Sequence, residues 1–147
     1  MILDGRNKTA LTEKQIEICI FAWKALCGKK WKIKLDISEA DSNSSKTRYD
    51  EKKRKVFLGA NVFPGKGSNA NSRMSYLACL AHEYSHAMRH QKGYNRPLIL
   101  PDSHLDEAET SIDASFHPII TKTDKSDLIE DARDRIINWI KTVGGNP

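Results

Sequence analysis

The pattern His82-Glu83-x-x-His86 is the part of this chain whose residue types and spacing can do chemistry. It sits in residues 77–90, a run that reads as helix, where positions four apart lie about 40° apart around the axis. Both imidazoles can therefore reach one ion, and zinc takes neutral imidazole nitrogens at about 2.0–2.1 Å. Glu83 cannot share that ligand geometry, but it can stand beside the ion and take a proton from a water. Helical phase supports the pattern. Leu77, Leu80, Ala81, Tyr84, Ala87 and Met88 recur at spacings of three and four and form one apolar face. Cys79, His82, Glu83, His86 and His90 fall on the other side, which carries Ala78 and Ser85 where a surface helix would carry long charged residues. One side reads as core and the other as the wall of a cleft.

Catalytic zinc usually has three protein ligands and one open position, so a third ligand must come from elsewhere. Residues 105–116 place Leu105, Ala108, Ile112 and Phe116 on the inner face of a second helix. Glu109 falls beside that face with Asp113 one turn later, whereas Glu107 points nearly the opposite way by the same phase.

His82-Glu83-x-x-His86 followed by Glu109-x-x-x-Asp113 resembles the gluzincin branch of the zincin metallopeptidases. The resemblance implies Zn²⁺ held by His82, His86 and Glu109, Glu83 as general base, and Asp113 orienting a ligand histidine. It implies a zinc-dependent peptidase acting on an intracellular protein or peptide. Asp106-Glu107-Ala108 also resembles the Asn-Glu-Ala form of the gluzincin ligand segment, which keeps Glu107 open as the ligand. His104 is a further candidate, as in SprT-like peptidases, although there the histidine is followed by Gly and here by Leu105. The metzincin subgroup is excluded, because position 92 is Lys where a third His is required and position 89 is Arg where Gly is.

The elements that must position these residues are legible in outline. Thr12 to Gln15 fits a capping box, and Ile16, Cys19, Ile20, Trp23, Leu26 and Cys27, widened by Ile18 and Phe21, predict a nearly buried backing helix ending at Gly28. Residues 30–37 alternate charged and apolar, predicting a strand; residues 46–49 and 54–63 predict two more. The segment 55–63 is the expected edge strand that would hold an extended substrate beside the active-site helix. Residues 64–72 read as a flexible polar loop whose glycine spacing fails the Walker pattern, with Asn71 or Ser72 capping the following helix. Residues 93–104 are long enough to act as a lid, in which Tyr94, Arg96 and His104 could donate to a substrate oxygen. Ile129, Ala132, Ile136, Ile140 and Val143 predict a closing, packing helix that stops at Gly144 and Gly145. The expected fold class is α+β, zincin-like, with a small antiparallel or mixed sheet of about three strands. It would form one domain over residues 1–147.

Composition sets the remaining bounds. No run approaches the roughly 18 apolar residues of a membrane span, and the N-terminus lacks a secretory pattern, so the expectation is a cytoplasmic protein. Cys19, Cys27 and Cys79 lack a CxxC spacing and read as small buried thiols, with Cys79 close enough to Glu83 to touch a metal or fill space. The net charge of +5, carried partly by Lys30, Lys32, Lys34, Lys52, Lys53, Arg54 and Lys55, offers an alternative: a basic zincin-fold module that binds nucleic acid or an acidic partner, with little or no peptidase activity.

Overall fold

The computed structural model describes residues 5–30 and 33–144, apart from the side chain of Lys30. The readings at Lys30, Trp31, Lys32 and Gly145 therefore lie outside what is described. Within it the chain is α+β, with five α-helices and a three-stranded mixed sheet: α1 Glu13–Cys27, β1 Lys34–Asp36, β2 Arg48–Asp50, β3 Lys55–Phe57, α2 Ala70–Arg73, α3 Tyr76–Gln91, α4 Asp102–Ser115 and α5 Lys122–Thr142. The order across the sheet is β1-β3-β2, with β1 parallel and β2 antiparallel to β3.

α1 starts where the capping box places it. The Thr12 hydroxyl accepts from Gln15 N, and Gln15 Oε1 accepts from Thr12 N. Its buried face is Cys19, Ala22, Trp23, Leu26 and Cys27, and the Trp23 indole donates to Ile33 O at 2.8 Å. Ile18 and Phe21 do not widen that face; Phe21 is 77% exposed, so the helix is half-buried rather than nearly buried.

The sheet's edges are β1 and β2, of which β2 packs on α3; the segment from Lys55 is not an edge. β3 lies between β1 and β2, and the chain then leaves the sheet for a short 3-10 turn, Ala60–Val62. The single helix expected from Asn71 or Ser72 onward is two. Asn69 caps α2, extended backbone at Met74 (φ −54°, ψ 137°) breaks the run, and Ser75 caps α3 by accepting from Ala78 N. Nor is the loop before them loose. Gly65 N donates to Ser72 O and Gly67 N to Gly5 O, and a Cβ on Gly65 would fall 1.9 Å from Gly5 O. These glycines serve close backbone approach.

α3 is the centre of the packing, touching α1, β2, β3, α4 and α5. Leu80, Ala81 and Ala87 are buried on it, and so are His82, Glu83, Ser85 and His86. That agrees with a helix covered on both sides. On α4 and α5, Ala108 and Ala132 face inward as expected, but the rest of each buried face is shifted from the expected stripe. Large apolar residues lie on the outer side, Phe116 being 70% and Ile129 45% exposed, while Ala108, Thr110, Ser111, Ala114, Ser115 and, on α5, Leu128, Asp131, Ala132 and Arg135 face inward. Small residues let α4 approach its neighbours closely, and buried polar groups must then find partners.

Arg6 holds the wall of the cleft together. Buried to 4% exposure, its guanidinium donates to the carbonyls of Asn61, Val62, Asn71 and Met74 at 2.5–2.9 Å. Removing it would leave four carbonyls without that donor, each costing roughly 1–3 kcal/mol where water cannot replace it. Arg6→Ala should therefore lower unfolding stability by about 3 kcal/mol or more, read as a reduced urea midpoint; an unchanged midpoint would contradict the role assigned to this residue.

Candidate metal centre

Three side chains converge between α3 and α4: His82, His86 and Glu107, whose ligand atoms all lie within 4.8 Å of one another. His86 Nε2 is 2.6 Å from Glu107 Oε1, and His82 Nε2 is 3.4 Å from Glu107 Oε2. Ligands held tetrahedrally about zinc at about 2.05 Å stand about 3.3 Å apart, and the 3.4 Å between His82 Nε2 and Glu107 Oε2 is of that size. This group could hold a metal ion.

Proton bookkeeping gives the test of fit. Ser111 Oγ has one hydrogen, which it donates to Asp131 Oδ2 at 2.6 Å, so its 2.8 Å contact with His82 Nδ1 must be donated by the imidazole. Thr110 Oγ1 likewise gives its hydrogen to Asp106 O at 2.7 Å and accepts from His86 Nδ1 at 3.3 Å. Both rings thus carry a proton on Nδ1 and turn Nε2 toward Glu107, so that Nε2 is the nitrogen a metal would take once the proton it shares with Glu107 is displaced. The His82 Nε2 is buried and makes no hydrogen bond of good geometry, the state of a nitrogen set to take a cation.

The carboxylate of this group is Glu107, not Glu109. Glu109 is 58% exposed and bonds Arg89 Nη2 at 2.9 Å; Asp113, 53% exposed, bonds Arg89 Nη1 at 3.2 Å. The Glu109-x-x-x-Asp113 spacing does place two acids on one helical face, but that face meets Arg89 of α3, which also bonds Asp106 at 3.0 Å. Asp113 therefore bonds Arg89 rather than either histidine; Ser111 and Thr110 bond the two rings. His104 stands one turn before Glu107 and lines the adjoining cavity without joining the three-residue group.

Glu83 accepts Tyr49 N–H at Oε1, at 2.9 Å, from edge strand β2. The Tyr49 hydroxyl bonds His90 Nδ1 at 2.7 Å, and Tyr49 O takes Arg96 Nη2 at 3.4 Å. His90 is thereby a hydrogen-bonding residue. A cavity of about 300 Å³ opens over Glu83, His86 and Glu107, walled by Thr47 and Arg48 of the edge region, by Arg96 and Leu98 of the loop after α3, and by Arg135 of α5. The connection expected to act as a lid does border the cleft, and its Arg96 also meets Glu51 at 3.2 Å.

Cys79 lies behind the group, beside a second cavity of about 20 Å³ shared with His82 and Glu83, and burial pushes its thiol up to about 11, away from the thiolate a metal needs. Of the basic residues, Lys55 is paired with Asp36 at 2.6 Å and stands 5.0 Å over the Phe57 ring, while Lys34, Lys52, Lys53 and Arg54 are exposed. No described helix is long and apolar enough to cross a membrane.

The chain matches no protein-family model, no curated protein and no solved structure. Its residues alone carry the functional reading.

The charges of the metal-free group are coupled. Burial by itself raises Glu107, but the charges and hydrogen bonds of His86 and His82 outweigh it and hold the carboxyl well below its ordinary value. Burial by itself lowers His82, yet its contact with Glu107 and the charge of Glu83 leave it above its ordinary value. The His82 contribution to stability is complete below 6.5, its ordinary value, and is lost as pH rises through the raised one; that of Glu107 is complete above 4.5 and is lost as pH falls through the depressed one. The cluster should therefore stabilise the metal-free fold most between pH 4.5 and 6.5. Urea unfolding in chelator across pH should show this component, and Glu107→Gln should remove it; a parallel pH profile in the variant would contradict the coupling.

Proposed function

We propose that this chain is a zinc-dependent peptidase with a zincin-like arrangement, in which His82, His86 and Glu107 hold the metal and Glu83 is the general base. What carries the reading is one observation: two histidines, each bonded at Nδ1 to a hydroxyl of α4, converge through Nε2 on a carboxylate, and a second carboxylate lines the same cavity. Two imidazoles and one carboxylate are a donor set suited to zinc, and a fourth position facing the cavity is what distinguishes a catalytic site from a closed structural one. When bound, zinc would make a nearby water more acidic and draw charge from the scissile carbonyl.

The remaining steps fall to residues of this chain. The Tyr49 N–H fixes Glu83 through Oε1, so Oε2 takes the proton from the attacking water and passes it to the leaving amine. Burial lowers the titration of His104, which favours the neutral imidazole, able to donate toward a substrate oxygen from the cavity wall. Arg96 borders the same space and is a second donor. Because Tyr49 N–H and C=O are bonded to Glu83 and Arg96, the β2 edge offers no free backbone group at that residue, and the 300 Å³ cavity takes over the holding of substrate.

Glu83→Gln keeps the shape and the Tyr49 hydrogen bond but removes the base. In the zinc-loaded chain it should leave metal content unchanged and lower cleavage of a library of unstructured peptides, mapped by mass spectrometry, by about 10²–10⁴-fold. Equal cleavage by wild type and variant would overturn the assignment of Glu83.

A further inference from the structure

We infer that Asp131 and Arg135 of α5, acting with Ser111 of α4, are positioning residues of the metal centre, setting the tautomer of His82 and the orientation of Glu107 from one shared carboxylate. The inference rests on the metal-binding part of the reading above and on no assumption about cleavage.

The bonds form a continuous chain from His82 to Glu107. His82 Nδ1–H donates to Ser111 Oγ, Ser111 donates to Asp131 Oδ2, Arg135 Nε donates to the same Oδ2 at 2.7 Å, and Arg135 Nη1 reaches Glu107 Oε2 at 3.2 Å. Every group in it is largely buried: Ser111 is 0%, Asp131 1%, His82 4% and Arg135 8% exposed. Two of the three proposed ligands are thus bridged through one oxygen of Asp131. A charge-assisted hydrogen bond to a carboxylate is both strong and directional. If Ser111 no longer donated to Asp131, its hydroxyl would be free to donate to His82 Nδ1 instead. The proton of His82 would then sit on Nε2, the atom that faces Glu107, where it blocks a metal. Arg135 acts on the other ligand: planar and doubly engaged, it fixes the Glu107 carboxylate while offsetting a charge that would otherwise be buried among acids. The Asp131-x-x-x-Arg135 spacing puts both side chains on one face of α5, so docking of that helix and preparation of the site are one event.

The test is zinc titration of the full chain, with a competing chromophoric chelator, alongside the visible spectrum of the cobalt-substituted protein. Ser111→Ala and Arg135→Gln should each weaken zinc binding by about 10–100-fold and alter the cobalt spectrum, whereas Ser111→Thr, which keeps the hydroxyl, should restore both. Leu26→Ala in the α1 core is the comparison: it should lower the melting temperature without weakening zinc binding. If Ser111→Ala and Arg135→Gln bind zinc as wild type does, or lose affinity only in proportion to melting temperature as Leu26→Ala does, the positioning role is overturned. Wild type that binds no zinc at all would instead overturn the metal reading itself. Should Arg135→Gln fail to fold, Ser111→Ala, which leaves the Asp131–Arg135 pair in place, decides the matter.

Discussion

The constraint on which this structure turns is the burial of a carboxylate between two imidazoles. Moving an ionised carboxylate out of water costs several kcal/mol unless charges and hydrogen bonds replace the lost solvent. Around Glu107 those replacements come from His82, His86 and Arg135, and the groups behind them are satisfied in turn by Ser111, Thr110, Asp131 and Asp106. A metal ion would do the same work with greater charge, displacing the proton shared within the cluster. The polar interior thus surrounds one group that could hold a cation.

From that point outward the fold follows. α3 must be covered on both sides, so the side that carries His82 and His86 faces α4 and the cleft while Leu80 and Ala81 enter the core. α4 must come close enough for Glu107 to reach Nε2 of both histidines, and its inward residues are accordingly Ala, Ser and Thr. β2 supplies a backbone N–H to Glu83, and Arg6 secures the segment from Asn61 to Met74 whose Asn69 and Asn71 border the cleft.

The sequence made part of this legible. His82, Glu83 and His86 are fixed relative to one another by helix geometry alone, and the small residues opposite the apolar stripe of α3 signal a covered side. The Thr12 capping box is equally local. Glu107 is less legible, because of the four residues that set the expected phase of α4, Leu105, Ala108, Ile112 and Phe116, only Ala108 is buried, and a stripe of small residues packs inward. The usable signal was that stripe, Ala108, Ser111, Ala114 and Ser115, at helical spacing. α5 misled in the same manner, since Asp131 and Arg135 look like solvated charges until their partners, 20 and 28 residues earlier in the chain, are seen. Arg6 carries no motif, and its four carbonyl acceptors lie 55–68 residues away. The edge assignment failed because the strand nearest the helix in sequence, β3, is the central one in space.

The claim that one metal ion is held by His82, His86 and Glu107 is tested most directly by elemental analysis of the chain purified without added chelator, in parallel with Glu107→Ala and Glu109→Ala. The account predicts about one zinc per chain for wild type and for Glu109→Ala, and almost none for Glu107→Ala. Zinc retained by Glu107→Ala and lost by Glu109→Ala, or absent from all three, would contradict it.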